Sequence, residues 1–503
     1  MAAGVQTHAR APLRLRTCLA SEEGDRICST SRPPLPFPSC CRLLGQPDFA
    51  LLYFTNLSEF FGTTLSRLSA LQWLYETTGD ARVLAALGAV TLLCQIPSIA
   101  LGGVLADSIR RTTLVSTVQS FAALIATVRW LLCSSDVLSV SHVYVTVALL
   151  EICCRIEASA RASITPACVK PAELPQAISL LMITQYAGEI VAPFFFWLLA
   201  DAGGKLTFSF AAAALSFLIC AVLPRLISAD TLPVQADAES PAHASSDRGC
   251  GAPALRRAWL VGLGRMVQGL KYILHHPLLP GLYALDWGFT CVSFYRELFP
   301  LWVGVWLTSG LPAGLSSRGA VAVCVASNFS GAMCGSCATL VLNKYPYKGR
   351  LVVAATSCYG LACFAFGCTQ QFVMGAVAIF SMGACDAVGA TMRKQVVLLT
   401  TPDNLRGRAQ SGHQMAAYVA NSIGQLYVGF MVGHFGAGIT MKIGGVVTEL
   451  MTLLAIYCIP ALVTYQACTP QSRTITPADD DTAPDEAHLN NDTCRAKQVG
   501  NDM

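Results

Sequence analysis

The sequence predicts an all-α membrane protein of twelve transmembrane helices, arranged as two six-helix repeats. Three observations support this prediction: the composition, the number of long apolar segments and the similarity of the two halves. Of the 503 residues, 53% are apolar and 13% are charged, whereas an ordinary soluble domain has about 25% charged residues. The net charge of +4 is too small to indicate a nucleic-acid partner. The composition therefore excludes a soluble enzyme, a disordered chain and a nucleic-acid-binding protein.

Twelve segments are long and apolar enough to cross a bilayer, for which a helix needs about 20 mostly apolar residues. Helices are expected because backbone groups in lipid must hydrogen-bond within their own segment. None of the segments shows the alternating pattern of a transmembrane barrel. The predicted spans, numbered 1 to 12, are 50–74, 83–105, 113–133, 142–165, 177–200, 206–224, 281–306, 318–342, 350–369, 371–393, 412–434 and 439–465.

The connections between spans differ in their content of Lys and Arg, which sets the orientation of a membrane protein. Short connections on one side carry eleven basic residues and those on the other side carry four. The Arg-rich N-terminal tail and the central connection fall on the basic side. We therefore expect both termini and the central connection to be cytoplasmic. The sequence does not distinguish the plasma membrane from an organelle membrane.

These spans divide the chain into five parts. Residues 49–225 and 280–466 form the two predicted six-helix bundles. Residues 1–48 are predicted to be a cytoplasmic tail, with an organellar transit segment as the alternative. Residues 226–279 are a predicted cytoplasmic linker with an amphipathic segment. Residues 467–503 are acidic and predicted to be disordered.

The two halves resemble each other at an offset of about 231 residues. Arg161 and Arg393 each lie near the end of a span, and each is followed by a segment that starts with Pro, 171–174 or 402–405. A Pro followed by an acidic residue is typical of a helix start. Six spans, a long connection and six related spans are typical of a transporter with its binding site between the halves, near the bilayer midplane.

Residues 102–111, Gly-Gly-Val-Leu-Ala-Asp-Ser-Ile-Arg-Arg, lie between spans 2 and 3. This stretch resembles the signature loop of the major facilitator superfamily. Supporting motifs follow in order, among them Arg67 with 75–79, His276-Pro277 and 401–408. Together they resemble the subgroup of the bacterial enterobactin exporter and related drug exporters, over about residues 42–465.

The resemblance implies gating roles for residues on the cytoplasmic side. In that family the Asp of the signature loop helps to hold the outward-open state, which implies a conformational latch here. The alternative is a simple basic turn, which would account for Arg110 and Arg111 but not for Gly103 or Asp107. The implied gating residues are Gly103, Asp107, Arg110, Arg111, Arg161 and Arg393.

Charged side chains are concentrated in spans 1, 4, 7 and 10, and each charge at mid-bilayer costs at least about 2.5–3.5 kcal/mol. The fold that the sequence resembles lines its central cavity with the same four spans. We therefore expect a substrate or proton cavity that also includes Glu189 of span 5. Its predicted residues are Glu59, Arg67, Glu151, Arg155, Glu157, Glu189, Asp286, Arg296, Glu297 and Asp386.

Two acid–base pairs in span 4, Glu151–Arg155 and Glu157–Arg161, have the i,i+4 spacing that places both members on one helix face. Such pairs either neutralise each other and hold the helix in place or exchange protons, because desolvation favours the neutral form of a carboxyl group.

Glu59 and Glu189 have no opposite charge three or four residues away on their own helix. They are therefore the first candidates for proton carriers.

A Cys334-Gly-Ser-Cys337 motif in span 8 has the spacing of a redox site. Gly331 and Gly335 lie beside it, and small residues four apart allow two helices to approach closely. We therefore interpret the motif as a packing surface.

These observations predict a secondary active transporter that exports a small organic solute by alternating access, with coupling to protons left open. The alternatives are a facilitator or importer of a nutrient, and a non-transporting sensor or scaffold of the same fold. The sequence has no evident nucleophile with a base, no metal-ligand set and no phosphate-binding loop of the Walker type. We therefore expect no enzyme activity, cofactor or metal, and a monomer whose partners are the solute, the bilayer and, if coupled, protons.

Overall fold

The structure, a computed structural model, describes residues 42–170, 173–203, 206–228, 252–276, 279–304, 311–312, 314–342, 345–401 and 403–464. Within these ranges the chain forms helices and no strand. Residues 1–41 of the predicted tail, 229–251 of the predicted linker and the predicted acidic tail lie outside the described residues.

Six helices, α1 to α6, form the first half and correspond to spans 1 to 6. They are α1 (Pro47–Thr78), α2 (Ala81–Ser108), α3 (Arg111–Ser134), α4 (Val140–Cys168), α5 (Leu174–Gly203) and α6 (Thr207–Val222). A further helix, α7 (Ala252–His275), precedes the second half. The second half consists of α8 (Leu279–Ser293), α9 (Phe299–Trp302), α10 (Ser317–Leu342), α11 (Lys348–Cys368), α12 (Phe372–Thr400), α13 (Asp403–Phe435) and α14 (Ala437–Cys458).

Local sequence explains the short turn between α1 and α2. Gly79 has φ 64°, a left-handed conformation that glycine adopts without steric cost, and its N–H donates to the carbonyl of Tyr75. Asp80 then caps α2, because its side chain accepts the backbone N–H of Arg82. The turn between the first two spans is therefore as short as two residues.

Nine helices in the described part of the chain are long and apolar enough to cross a membrane. The predicted spans outside this set are 1, 4 and 7. They are also helical, but α1 and α4 carry several charged side chains and α8 has 15 residues. The charged side chains of α1 and α4 include Glu59, Arg67, Glu151, Arg155 and Glu157, which the sequence placed around the cavity.

Span 7 is not the continuous helix 281–306 that the sequence predicted. α8 ends at Ser293, a 3-10 turn covers Arg296–Leu298, and α9 starts at Phe299. Pro300 explains part of the break, since it has no N–H to donate to the preceding turn and its ring clashes with that turn. The break leaves Arg296 in an irregular segment instead of on a helix face.

The two halves repeat the same packing. In the first half, the contacts are α2–α4, α3–α4, α3–α6, α1–α6 and α1–α5. In the second half the equivalent helices pack in the equivalent way, with α10–α12, α11–α12, α11–α14, α8–α14 and α8–α13. The correspondence is complete for these five contacts, so the halves share one architecture, as the sequence repeat predicted.

The halves meet along two seams, α2 with α13 and α5 with α10. Small residues allow the first approach: Gly88 lies against the carbonyl of Ser422, and Gly429 lies against Ala85. Without a Cβ at either glycine, the two backbones come close enough for extensive van der Waals contact.

The packing differs between the two ends of the bundle. The end at which α1 meets α2 has one hydrophobic cluster with side chains from both halves, for example Leu74 and Phe210 with Trp302 and Val432. At the opposite end, one described cluster belongs to the first half, around Ile164, and another belongs to the second half with α7. The halves are thus joined at the first end, which we call the closed end.

The α10–α12 contact confirms the predicted packing role of the Cys334–Cys337 segment. Gly331 lies against the carbonyl of Phe380, and Gly335 lies against the carbonyl of Ala384. Cys334 and Cys337 are free and exposed.

Candidate functional site

A buried charge cluster links α1, α3 and α4 in the first half. Arg161 of α4 binds the carboxylate of Glu59 from α1, and its Nε lies 3.4 Å from Oε1 of Glu157, one turn earlier. The amide of Gln119 donates to the other oxygen of Glu157, which is fully buried. The guanidinium also lies over the ring of Phe60, 5.0 Å from its centroid. Two carboxylates therefore share one guanidinium.

The second half contains an equivalent pair. Arg393 of α12 donates to Asp286 of α8 at 2.5 Å, and both side chains are buried. The guanidinium lies 5.5 Å from the centroid of Phe289, also on α8. Arg161 and Arg393 each stand seven residues before the last residue of their helix. In each half, an arginine of the fourth helix thus binds an acid and an aromatic ring of the first.

A second ion pair in the second half is partly accessible. Arg296 donates to Asp386 at 2.5 Å, yet the two side chains keep 41% and 26% of their surface accessible. Arg296 lies in the irregular segment of span 7 and Asp386 lies in α12, so the pair joins two of the spans that the sequence placed around the cavity. Charged groups at this depth mark solute or ion pathways in membrane proteins.

Glu189 of α5 lies between the charge clusters of the two halves. Its described hydrogen bond is weak, with the amide of Gln185 at 3.3 Å. Its carboxylate interacts electrostatically with Arg296 in one half and Glu59 in the other. One turn away, the hydroxyl of Tyr186 lies 3.1 Å from that of Ser336 across the α5–α10 seam.

A polar chain crosses the α2–α13 seam as well. Glu151 accepts Nε of Arg155 at 2.7 Å and the amide of Gln95 at 3.0 Å. The Gln95 carbonyl accepts the hydroxyl of Ser422 at 3.4 Å. The Arg155 guanidinium lies 4.3 Å from the ring centroid of Tyr418, on α13. Span 4 therefore contacts the second half directly through Arg155 and indirectly through Glu151 and Gln95.

The closed end carries an ion pair between the halves. Arg318, in the first turn of α10, binds both carboxylate oxygens of Glu76 at the end of α1, at 2.8 and 3.1 Å. The same guanidinium donates to the carbonyl of Ala200 at 2.7 Å, and Ser316 donates to Asp201 at 2.7 Å. Three helix ends are thereby held together around one arginine.

The structure pairs several of the predicted cavity residues in separate groups, and it gives Glu59 a partner on another helix. Both i,i+4 pairs of span 4 are present. Glu59, singled out because its own helix offers no partner, is paired with Arg161 of another helix. Arg67 lines a cavity beside Glu151. The side chains of Glu297 and Asp107 lie outside the described residues, although Asp107 belongs to the last turn of α2.

The signature stretch is more helical than predicted. Span 2 was expected to end at residue 105, but α2 continues to Ser108, and α3 starts at Arg111. Gly103 therefore lies within a helix. Arg110 and Arg111 lie at the turn between the two helices.

Arg129 and Glu449, which are not among the predicted site residues, each have a buried polar atom without a described hydrogen bond. Arg129 lies near an end of span 3 in the sequence, yet it is 1% exposed and packed between α1 and α6. Glu449 of α14 has a buried carboxylate oxygen without a described hydrogen bond. Arg129 lies only five residues from the end of α3, so position along the span gave no signal for its burial.

Duplicated helical halves, joined at one end and lined at their seam by ionisable side chains, define a multi-pass membrane transporter. The sequence profile described as Major Facilitator Superfamily matches residues 52–358, more than half of the chain. The protein belongs to this family.

Among curated relatives, the enterobactin exporter EntS of Shigella boydii serotype 18 (strain CDC 3083-94 / BS512) is 24% identical over 265 residues. The protein of the same name from Escherichia coli O1:K1 / APEC is also 24% identical over 265 residues. Each match covers 53% of this chain and 56% of the relative, so the chain spans about half the length of the relatives it matches.

Solved structures share the fold over most of the chain. The nucleoside transporter NupG aligns with a TM-score of 0.62 and 12% identity, covering 82% of this chain and 98% of its own. The peptide transporter POT in complex with sulfate aligns with a TM-score of 0.62 and 14% identity, covering 84% and 96%. At such low identity, these similarities concern the fold alone.

Proposed function

We propose that the protein is a secondary active exporter of a small organic solute that works by alternating access. The observation that supports this proposal most is the difference in packing between the two ends of the bundle. At the closed end the halves share a hydrophobic cluster and the Glu76–Arg318 ion pair. At the opposite end the described clusters belong to separate halves. Alternating access by rocking of the halves requires one state that is closed at this end and another that is closed at the opposite end.

The closed end is proposed to face away from the cytoplasm. The turns and helix starts at the other end contain Arg110, Arg111, Lys348 and Arg350, and basic residues at the ends of spans are retained on the cytoplasmic side. Both termini would then be cytoplasmic, and the predicted cavity would load from the cytoplasm, as export requires. The names of the curated relatives also favour export.

Proton coupling is assigned to Glu189. A carboxyl group with few fixed partners can gain and lose a proton without dismantling a structural ion pair. Protonation would remove its attraction to Arg296 across the seam, so one proton would alter the interaction between the halves. The Glu59–Arg161–Glu157 cluster is the second candidate, because one proton would neutralise its excess negative charge.

The direct test is flux in sealed vesicles that contain the purified protein. We expect wild-type protein to move at least one member of a panel of labelled organic solutes, in the direction set by an imposed proton gradient. Glu189→Gln should lose gradient-driven accumulation and retain exchange of the solute, because the fold keeps a polar side chain there. Glu173→Gln, which makes the same chemical change in the connection before α5, is the matched control and should behave as wild type.

Other results would contradict parts of the proposal. Gradient-driven accumulation by Glu189→Gln would exclude Glu189 as the carrier. Wild-type flux that does not depend on the proton gradient would indicate a facilitator. The absence of flux for every solute, with a folded protein, would favour the sensor or scaffold.

A further inference from the structure

The helix α7 lies at the end of the bundle opposite the closed end, outside the twelve predicted spans. It contacts α2 of the first half and α13 of the second. Near its C-terminus, the hydroxyl of Tyr272 donates to the carbonyl of Thr400, the last residue of α12, at 2.9 Å. Ile273 is buried in one cluster with Val397, which also lies at the end of α12. The last turn of α7 is therefore held level with the ends of the membrane-spanning helices, where lipid headgroups lie.

An apolar stripe on α7 is left uncovered by the described part of the chain. It consists of Leu260, Val267 and Leu274, whose exposed fractions are 50%, 40% and 59%. Positions seven apart in an α-helix are separated by about 20° around the axis, so these residues share one face. Ile273, which packs against the bundle, lies about 120° around the axis from Val267. The apolar face of α7 is thus wider than the surface that the bundle covers.

The charged residues of α7 are all basic. They are Arg256, Arg257, Arg265 and Lys271, and the helix contains no Asp or Glu. Beside the stripe, the exposed side chains of Gln268 and His275 are polar, and Gln268 lies about 100° around the axis from Val267. An apolar face next to a polar face rich in Lys and Arg is typical of helices that lie in the membrane interface and bind anionic lipids.

We propose that α7 binds the anionic lipid surface beside the bundle, with its apolar stripe inserted between the headgroups and its basic residues close to lipid phosphates. Burial of the stripe and attraction between opposite charges both favour this arrangement. A lipid surface is the occupant that fits, because the stripe lies at the level of the headgroups and the charge of α7 complements theirs. The proposal concerns a surface that the transport proposal does not use.

The accessibility of spin labels on α7 tests this proposal with the full-length protein in lipid nanodiscs. A genetically encoded label replaces either Val267 in the stripe or Gln268 on the polar face. Molecular oxygen is concentrated in lipid, whereas a charged nickel chelate stays in water. In nanodiscs of phosphatidylcholine and phosphatidylglycerol, we expect the ratio of oxygen access to nickel access to be severalfold higher at Val267 than at Gln268. A label at Leu274 serves the same purpose if the Val267 variant does not fold.

A change of lipid or of charge tests the electrostatic part. In nanodiscs of phosphatidylcholine alone, the ratio at Val267 should fall severalfold, because the attraction to anionic headgroups is lost. The double variant Arg256→Gln/Arg257→Gln should produce the same fall in the anionic nanodiscs. Arg82→Gln removes an exposed arginine at the closed end, so it is the control and should leave the ratio unchanged.

Three results would overturn the proposal. Equal ratios at Val267 and Gln268 in anionic nanodiscs would mean that the stripe faces water. Equal ratios at Val267 in neutral and anionic nanodiscs would exclude recognition of anionic lipid. Protection of Val267 from both reagents would indicate that a second copy of the chain covers the stripe. Because a nanodisc presents the same lipids on both faces, none of these results depends on the orientation of the protein or on transport.

Discussion

At the residue scale, the equivalent ion pairs of the two halves differ in how many acids share the arginine. Arg161 contacts Glu59 and lies 3.4 Å from Glu157. Among the described residues, Asp286 is the acid within ion-pair distance of Arg393, and two nitrogens of that guanidinium have no described partner. The first pair therefore has a spare counter-ion, and the second does not.

This difference predicts unequal effects of removing each acid. Asp286→Asn leaves a buried guanidinium uncompensated and should lower the free energy of unfolding by about 3–5 kcal/mol. Glu59→Gln should cost clearly less, because Glu157 remains near Arg161. Glu76→Gln is the control, since its pair with Arg318 is partly exposed and such pairs are worth about 0–1 kcal/mol. Unfolding in mixed detergent measures all three, and a larger loss for Glu59→Gln than for Asp286→Asn would refute the assignment.

Whether sequence alone could predict the pairing of two charged residues depended on their separation along the chain. The Glu151–Arg155 pair was predictable because its spacing on one helix fixes the contact. Arg296 and Asp386 are 90 residues apart, so their pairing depends on how α12 packs beside the broken span 7. The repeat equated Arg161 with Arg393, but Glu59 and Asp286 lie about one turn from equivalent positions. The periodicity of each helix therefore could not predict which acid pairs with which arginine.

At the scale of elements, close helix contact depends on glycines at defined faces. Gly335 of α10 lies against the backbone carbonyl of Ala384, and backbone cannot move aside as a side chain can. Gly264 of α7 has open space where a Cβ would be. Both glycines are helical, so they differ in surroundings and not in backbone conformation.

Gly335→Ala and Gly264→Ala should therefore change stability in opposite directions. The first inserts a methyl group into a packed contact and should destabilise the protein by about 1–3 kcal/mol. The second raises helix propensity and should stabilise α7 by up to about 1 kcal/mol. Thermal unfolding of the two variants beside wild type measures the effects. Equal shifts would show that α10 and α12 are not in close contact.

Most predicted span limits lie within about four residues of the helix limits, but three do not. α12 extends seven residues beyond span 10, α13 starts nine residues before span 11, and α14 ends seven residues before the end of span 12. Span 7 was predicted as one helix because its composition is mostly apolar through Pro300, despite Asp286, Arg296 and Glu297, and the break at Ser293 became evident only from the structure. The extension of α2 to Ser108 was missed because its last turn is less apolar.

At the scale of the whole molecule, the halves are expected to rotate as units about their two seams. In each half an arginine joins the fourth helix to the first, so these two helices are expected to move together. The Glu76–Arg318 pair joins the halves at the closed end and must break for that end to open. The fraction of molecules in the reverse state, in which the closed end is open and the opposite end is closed, should therefore depend on the charges at Glu76 and Arg318.

Distances across both ends, measured by electron resonance between paired spin labels, test this account most directly. Genetically encoded labels avoid the 22 cysteines. One pair, at Val137 and Gln371, spans the closed end, and another, at Ile109 and Tyr345, spans the opposite end. Glu76→Arg places two cations together and should lengthen the first distance while shortening the second. Adding Arg318→Glu should restore both wild-type distances. Unchanged distances, or two distances that change in the same direction, would contradict alternating access by rocking of the two halves.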